Sequence, residues 1–384
     1  MTWTADRPTA LTPRDELALL PAYSAALSSA VPVTIRASSN EAPDGLSDAV
    51  RRAVLDRLEH ANRYPVLGGR DVAVAIAEHL GADPAEIAAA DGSLSLLNYL
   101  LLTYCRPGSR VVHAWRSYEA YPICIRTAGA EPVGVPNDAD GGHDLDAMAA
   151  AIDDSTAAVT LCSPNNPTGN VLHHDDVVRF LERVPANVLV VLDEAYHDFV
   201  TDPEAVRSRE LLAAYANLVV LRTFSKAHAL AGLRVGHMIA QPDVVTAVRT
   251  LLPPFAVGAL GAVAAIAALG DEEHRRRVVD GVVRQRAEVV RLLDERGIPH
   301  TRSEANFVWM PLGAASAGLG AACAAVGMST RVFSDEGIRI SLGEPALPSA
   351  LALAIDVWRD ATGRTDADSA DRTVQPDPSG VSAV

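Results

Sequence analysis

Between residues 110 and 240 the chain alternates short apolar runs with stretches whose apolar residues recur at helical spacing. That alternation is the pattern of an α/β protein built on a mostly parallel sheet. The predicted strands are 110–114, 157–162, 188–193 and 218–223. Between the last two, 204–216 reads as a helix long enough for a right-handed crossover, so those strands should be parallel. The next run, 234–240, begins only about ten residues after Thr223, too soon for a parallel crossover, so it should be antiparallel. Further on, Val282, Val283, Ala287, Val290 and Leu293 mark a helix over 282–296 that stops at Gly297. The expected organisation is an N-terminal arm with part of a small domain at 1–44, a large domain at 45–275, a small domain at 276–362 and a disordered tail at 363–384. The tail has almost no large apolar residues to bury.

Composition narrows the picture. A chain of 384 residues is long enough for two lobes that share a cleft. A net charge of −15 argues against nucleic acid or an anionic membrane as partner, because either needs a basic surface. The first residues lack the basic start and apolar core of a secretory signal, and the Ala-rich segment 255–269 is shorter than the roughly 20 residues of a membrane span. Cys105, Cys124, Cys162 and Cys323 are widely spaced and form no CxxC pair, which fits a reducing cytoplasm.

In open α/β sheets ligands sit beyond the carboxyl ends of the strands. The segments to inspect are therefore 91–93, Tyr118, 165–169, 193–196 and 225–226. The strongest is TFSKAHALAGLRVG, 223–236, directly after a strand. A lysine desolvated in such a loop has a lowered pKa and can attack an aldehyde, which makes Lys226 the candidate nucleophile. Ser225 and Arg234 offer a short donor and a permanent cation, the combination that anchors phosphate. Asp193 ends the run VLVVLD with Tyr196 three residues on. Taken alone, Asp193 is also a fitting N-cap; beside Lys226 it suits a protonated pyridine nitrogen. In CSPNNPTG, Asn166 offers an amide near a strand end. His173, His174 and Cys162 have no second ligand pair at metal-binding spacing, so no metal is expected.

SPNNPTG (163–169), DEAY (193–196) and TFSKAHALAGLRVG, in that order and about thirty residues apart, resemble the pyridoxal 5'-phosphate (PLP) aminotransferases of fold type I. SSNEAP (38–43), RYP (63–65), EANFV (304–308) and GIRISLGEP (337–345) resemble the branch of histidinol-phosphate and aromatic aminotransferases. The resemblance spans roughly residues 20–362. It implies a mostly parallel sheet sandwiched by helices with a smaller α+β domain. It also implies ping-pong transamination between an amino acid, or an amino-alcohol phosphate, and a 2-oxo acid. By the same resemblance Lys226 carries the cofactor as a Schiff base, Asp193 pairs with the ring nitrogen, and Asn166 and Tyr196 donate to the ring oxygen. Tyr118 stacks on the ring, while Ser225, Arg234 and the Gly92–Ser93 turn hold the phosphate. Arg339 grips the substrate's acidic group, and Tyr23 and Arg331 face the substrate. Tyr64 reaches the neighbouring subunit's cofactor, which implies a homodimer.

Three stretches depart from the family pattern. Leu94 and Ser95 stand where relatives carry acidic residues, Ala256 and Gly258 replace an asparagine and a serine, and WRSY (115–118) replaces a proline-containing form. All are expected near the active-site wall, with loss of polar groups favouring a hydrophobic or aromatic substrate over histidinol phosphate. Decarboxylation or elimination on the same frame stays open, because pocket geometry chooses which bond breaks. A PLP-sensing regulator is disfavoured, since only about 40 residues precede SSNEAP.

Overall fold

The computed structural model describes residues 31–363. Its strands are β1 Ile35–Arg36, β2 Ile87–Ala90, β3 Arg110–Trp115, β4 Glu131–Pro136, β5 Thr156–Cys162, β6 Leu189–Asp193, β7 Leu218–Thr223, β8 Gly236–Ile239, β9 Phe307–Met310, β10 Met328–Ser329, β11 Arg331–Phe333 and β12 Gly337–Ser341. Seven of them form the central sheet in the order β2-β8-β7-β6-β5-β3-β4. Strands β3 to β7 are mutually parallel, and β8 runs antiparallel to both β7 and β2. The short 223–236 link thus forces the reversal expected from its length.

The central strands are apolar without alternation because both faces of the sheet are covered. All five residues of β6 are buried. One face packs against the helices Asp48–Leu58, Arg70–Leu80 and Ala259–Leu269, and the other against Ser93–Tyr104, Ala120–Thr127 and Pro242–Leu251. The Ala-rich segment weighed as a membrane span is the first of these core layers. Its small side chains let it lie against both Asp48–Leu58 and Arg70–Leu80. Among the described residues no helix is long and apolar enough to cross a membrane.

A second apolar cluster gathers around the antiparallel sheet β11-β12-β9 and the helices Glu272–Glu295, Ser316–Ala325 and Leu347–Thr362. Residues 35 and 36 join it, because β1 pairs in parallel with β10.

Two helix expectations need correction. In 204–216 only Ser208–Leu211 is α-helical. The Asp202 carboxylate accepts from the Glu204 N–H, Ala205 bridges to His173, and the Val206 N–H donates to the Leu172 carbonyl, so these backbone groups are committed before a helix can start. The helix read as 282–296 begins a good deal earlier, at Glu272, where Asp271 caps it through the His274 N–H. Its buried face is Val278, Val282, Arg286, Val289 and Leu293. The missed turns, 272–281, begin with the polar run EEHRRR and contribute only Val278 to that stripe, so they show no apolar period; Arg286, within the stripe, is buried against Glu304 at 2.9 Å and donates to the carbonyls of Phe199 and Ala305.

Candidate active site

Parallel strands bring the ends of β3, β5, β6 and β7 to one rim. Because β8 is reversed, the segment entering it, with Arg234, reaches the same rim. A cavity of about 510 Å³ opens there. Ser93, Tyr118, Asn166, Asp193, Tyr196, Ser225, Lys226 and Arg234 line it from the large sheet; Ser38–Glu41, Arg331, Phe333 and Arg339 line it from the other side. A roomier hollow of about 900 Å³ is bordered by Asp138, Asp144, Asp146 and Asp202, and none of the site residues inferred from the sequence reaches it. Folding does bring His173, Asp202 and Glu204 together there, with ligand atoms within 4.8 Å of one another, a grouping that chain spacing hides. Arg302 already pairs with the Asp202 carboxylate at 2.9 Å.

One end of the site is built for an anion. Helix Ser93–Tyr104 starts behind Gly92 and no side chain caps it, so its first N–H groups point outward. Gly92 has φ 114°, and a Cβ there would lie 2.6 Å from Arg234 Nη2. Gly236 is equally constrained, since its Cβ would lie 2.3 Å from the Ser93 nitrogen. Arg234 adopts a left-handed φ of 53°, unusual for a residue with a side chain, and its guanidinium reaches Ser225 Oγ at 3.4 Å. Free helix N–H groups, a hydroxyl and a guanidinium around a space that only glycine leaves clear form a phosphate cradle.

Beyond the cradle lies the partly buried Lys226, whose Nζ donates to the Ser39 carbonyl at 3.3 Å. Burial, followed by the Arg339 charge, lowers its pKa to about 8, which leaves much of the amine neutral and nucleophilic near that pH. Asp193 ends β6 in a buried position, and burial raises its pKa to about 6. Tyr121 Oη donates to its Oδ2 at 3.0 Å and the Ala195 N–H to its Oδ1 at 3.2 Å. Such a carboxylate is completed by a cationic ring nitrogen. Tyr196, pushed up to about 12 by burial, accepts from Asn40 Nδ2 at 3.0 Å and keeps its own proton to donate. Tyr118 meets Tyr121 edge to face.

The far wall is assembled from distant segments. Arg339 Nη1 donates to Asn166 Oδ1 at 2.6 Å, and its Nη2 to the Ser38 carbonyl at 2.6 Å. Arg331 pairs with Glu119 at 2.7 Å, below the aromatic face of Phe333. Not every expected residue joins this group. Tyr64 is 81% exposed and stacks on Phe255, away from the cavity of its own chain. Of the three departures, Leu94 and Ser117 border the cavity, whereas Ala256 and Gly258 do not. Ala256 packs instead into the core under the sheet, because its short loop folds inward ahead of helix Ala259–Leu269. Tyr23 lies outside the described residues.

The sequence reading missed Tyr121, Glu119 and Asn40 as individual residues. Residue counts point straight at the site as well: Lys226 is the sole lysine among 384 residues, in a chain with 32 arginines. A single amine, held at the mouth of a phosphate cradle and beside a buried carboxylate, fits PLP.

The profile of the family described as aminotransferase class I and II matches residues 33–347. The chain belongs to this family. An aromatic amino acid aminotransferase of Rhodococcus jostii is 45% identical over 339 residues, covering 88% of this chain and 93% of its own. One from Cutibacterium acnes is 43% identical over 309 residues, covering 80% and 88%. Among solved structures, a histidinol-phosphate aminotransferase from Sinorhizobium meliloti in complex with PLP superimposes with a TM-score of 0.79 at 28% identity, over 86% of this chain and 92% of that one. The protein is therefore a PLP-dependent aminotransferase of fold type I that exchanges an amino group between an amino acid and a 2-oxo acid. The aminotransferase frame agrees with the fold read from the strand pattern, and with Leu94 and Ser95 following Ser93 the helix start behind Gly92 stays without a side-chain cap beside Arg234.

Proposed function

We propose that this aminotransferase takes an aromatic amino acid as donor, with Lys226 as the covalent anchor and proton carrier and Arg339 as the carboxylate clamp. The observation that carries the substrate reading is the Arg331–Glu119 pair at 2.7 Å in the cavity wall. Among the described residues lining the cavity, Arg331 is the cation beside Arg339 that could match a substrate phosphate from that side, and Glu119 already balances its charge. A dianion placed there would face a carboxylate, whereas Tyr118, Phe333 and Leu94 offer apolar surface to a ring. The names of the curated relatives support the same choice.

Bound PLP supplies an electron sink for the electrons left when the α-proton departs. Lys226 Nζ takes that proton as general base and returns it on the other side of the exchange. Its lowered pKa suits both directions near pH 8. Asp193 holds the ring nitrogen protonated, Asn166 and Tyr196 donate to the ring oxygen, and Tyr118 covers the ring face. Ser225, Arg234 and the N–H groups after Gly92, including that of Ser93, hold the phosphate. Arg339 exchanges its hydrogen bond to the Ser38 carbonyl for a charge-assisted pair with the substrate carboxylate. Arg331 shapes the side-chain pocket.

A homodimer and a cytoplasmic setting belong to the same reading. Tyr64 sits among exposed apolar residues, Leu58, Val66, Leu67 and Phe255, a surface that a second subunit would cover while receiving the Tyr64 hydroxyl. A mixed dimer of Tyr64→Phe and Lys226→Ala subunits then has one complete site and about half the parental activity; a Tyr64 serving its own subunit would leave no complete site. The substrate test is kcat/KM for phenylalanine against histidinol phosphate with a common 2-oxo acid. A clear advantage for histidinol phosphate overturns the aromatic assignment and makes Arg331 a phosphate ligand.

A further inference from the structure

Tyr121 lies one helical turn after Tyr118, at the start of helix Ala120–Thr127, and is 1% exposed. A buried tyrosine hydroxyl needs a partner, and most find a backbone carbonyl or water. This one is aimed at a carboxylate: Tyr121 Oη stands 3.0 Å from Asp193 Oδ2. Its ring meets that of Tyr118 at 5.6 Å between centroids and 84° between planes. One side chain therefore touches two residues that address opposite features of the cofactor ring, its face and its nitrogen.

We infer that Tyr121 is a positioning residue for transamination, whose hydroxyl keeps the Asp193 carboxylate ionised and oriented toward the ring nitrogen. The inference rests on the reading of Asp193 as the ring-nitrogen partner. The physical case is a competition over one proton. Asp193 is buried, and burial favours its neutral acid form; of the influences opposing this, the Tyr121 hydrogen bond is the largest. Tyr121 cannot surrender its own proton, because burial raises its pKa well above the ordinary phenol value. It is a permanent donor. Cys162, which also faces Tyr121, stays a neutral thiol, pushed up to about 12 by the same burial, while Glu194 and Lys226 act on Asp193 more weakly than Tyr121 does. Without the hydroxyl, Oδ2 loses its donor, the carboxylate gains proton affinity, and the proton shared with the ring nitrogen moves toward Asp193. A ring that has lost that proton is a weaker electron sink.

The test uses holoenzyme loaded with PLP carrying ¹⁵N at the ring nitrogen. Tyr121→Phe keeps the ring contact with Tyr118 and removes only the hydroxyl. The ¹⁵N resonance should move from the pyridinium toward the neutral pyridine position. Loss of one hydrogen bond to a charged group should lower kcat about tenfold or more, with KM changed less than about threefold. A purely packing role would leave the resonance in place. Asp193→Asn serves as the reference: if it shifts the resonance and Tyr121→Phe does not, the inference about Tyr121 fails alone. If neither variant shifts it, the Asp193 assignment fails and takes the inference with it. Should Tyr121→Phe not fold or load cofactor, 4-aminophenylalanine at position 121 gives a weaker donor of nearly the same shape. It should displace the resonance part of the way toward the neutral pyridine position, and no displacement would overturn the inference.

Discussion

The two ends of the cavity are made in different ways. The phosphate end comes from the large sheet alone: Gly92 and Ser93 follow β2, Ser225 and Lys226 follow β7, and Arg234 precedes β8. Three of these five residues fall within ten positions of one another. The substrate end is gathered from residues 38–41, 119, 166, 331, 333 and 339, held by hydrogen bonds such as Arg339 to Ser38 and Arg331 to Glu119. The contrast teaches that the proposed cofactor end is local in the sequence, whereas the proposed substrate end depends on where the small sheet meets the large one. Mutations should therefore separate cofactor retention from substrate handling.

The largest effect is expected at the shared hinge of the two ends. Lys226→Ala should reduce turnover by about four decades or more, since one amine serves as both nucleophile and general base. The variant should still bind PLP non-covalently through Arg234 and Ser225. Retained turnover near the parental rate would refute the assignment.

Arg339→Ala should cost roughly 2–5 kcal/mol of transition-state binding, about one and a half to three and a half decades in kcat/KM, with PLP affinity nearly unchanged. Equal losses in both quantities would break the division between the two ends.

Asp193 allows a test on the apoprotein. Its folded-state pKa, about 6, lies above its ordinary 3.8, so its contribution to stability is fully present below the ordinary value and is lost as pH rises through about 6. Apoprotein stability should fall by roughly 3 kcal/mol over that window, and Asp193→Asn should remove the fall. Chemical denaturation from pH 4 to pH 8 measures it. A fall of the same size in the variant would assign it elsewhere.

The smallest effect is a displacement along the pH axis. Covalent attachment of PLP to the apoprotein needs a neutral amine, so its rate should rise through about pH 8 rather than through the ordinary lysine value of 10.5. Stopped-flow absorbance across pH 6–11 locates the midpoint. A midpoint near 10 would mean that the site does not desolvate Lys226.

The same contrast explains what could be read from the sequence. Strands β5, β6 and β7 were legible because sheets covered on both faces leave continuous apolar runs, and the rim residues follow those runs directly. The link before β8 was legible from length alone. Strand β2, Ile87–Ala90, was not, because three alanines carry no strand preference and are buried only by neighbours. The first turns of the long helix were hidden for a different reason: 272–277 is polar throughout and Gly281 follows, so only Val278 marks the buried face there. Tyr121, Glu119 and Asn40 act through residues 72, 212 and 156 positions away, and no local pattern encodes such pairings.

Because Lys226 is the only lysine, the central claim can be tested on the unaltered protein. The holoenzyme is reduced with borohydride, its intact mass is measured, and its peptides are mapped. One phosphopyridoxyl group per chain is expected, on the peptide containing Lys226, with the chain's α-amino group unmodified. A chain that stays unlabelled, or carries the label only at its α-amino group, would contradict it.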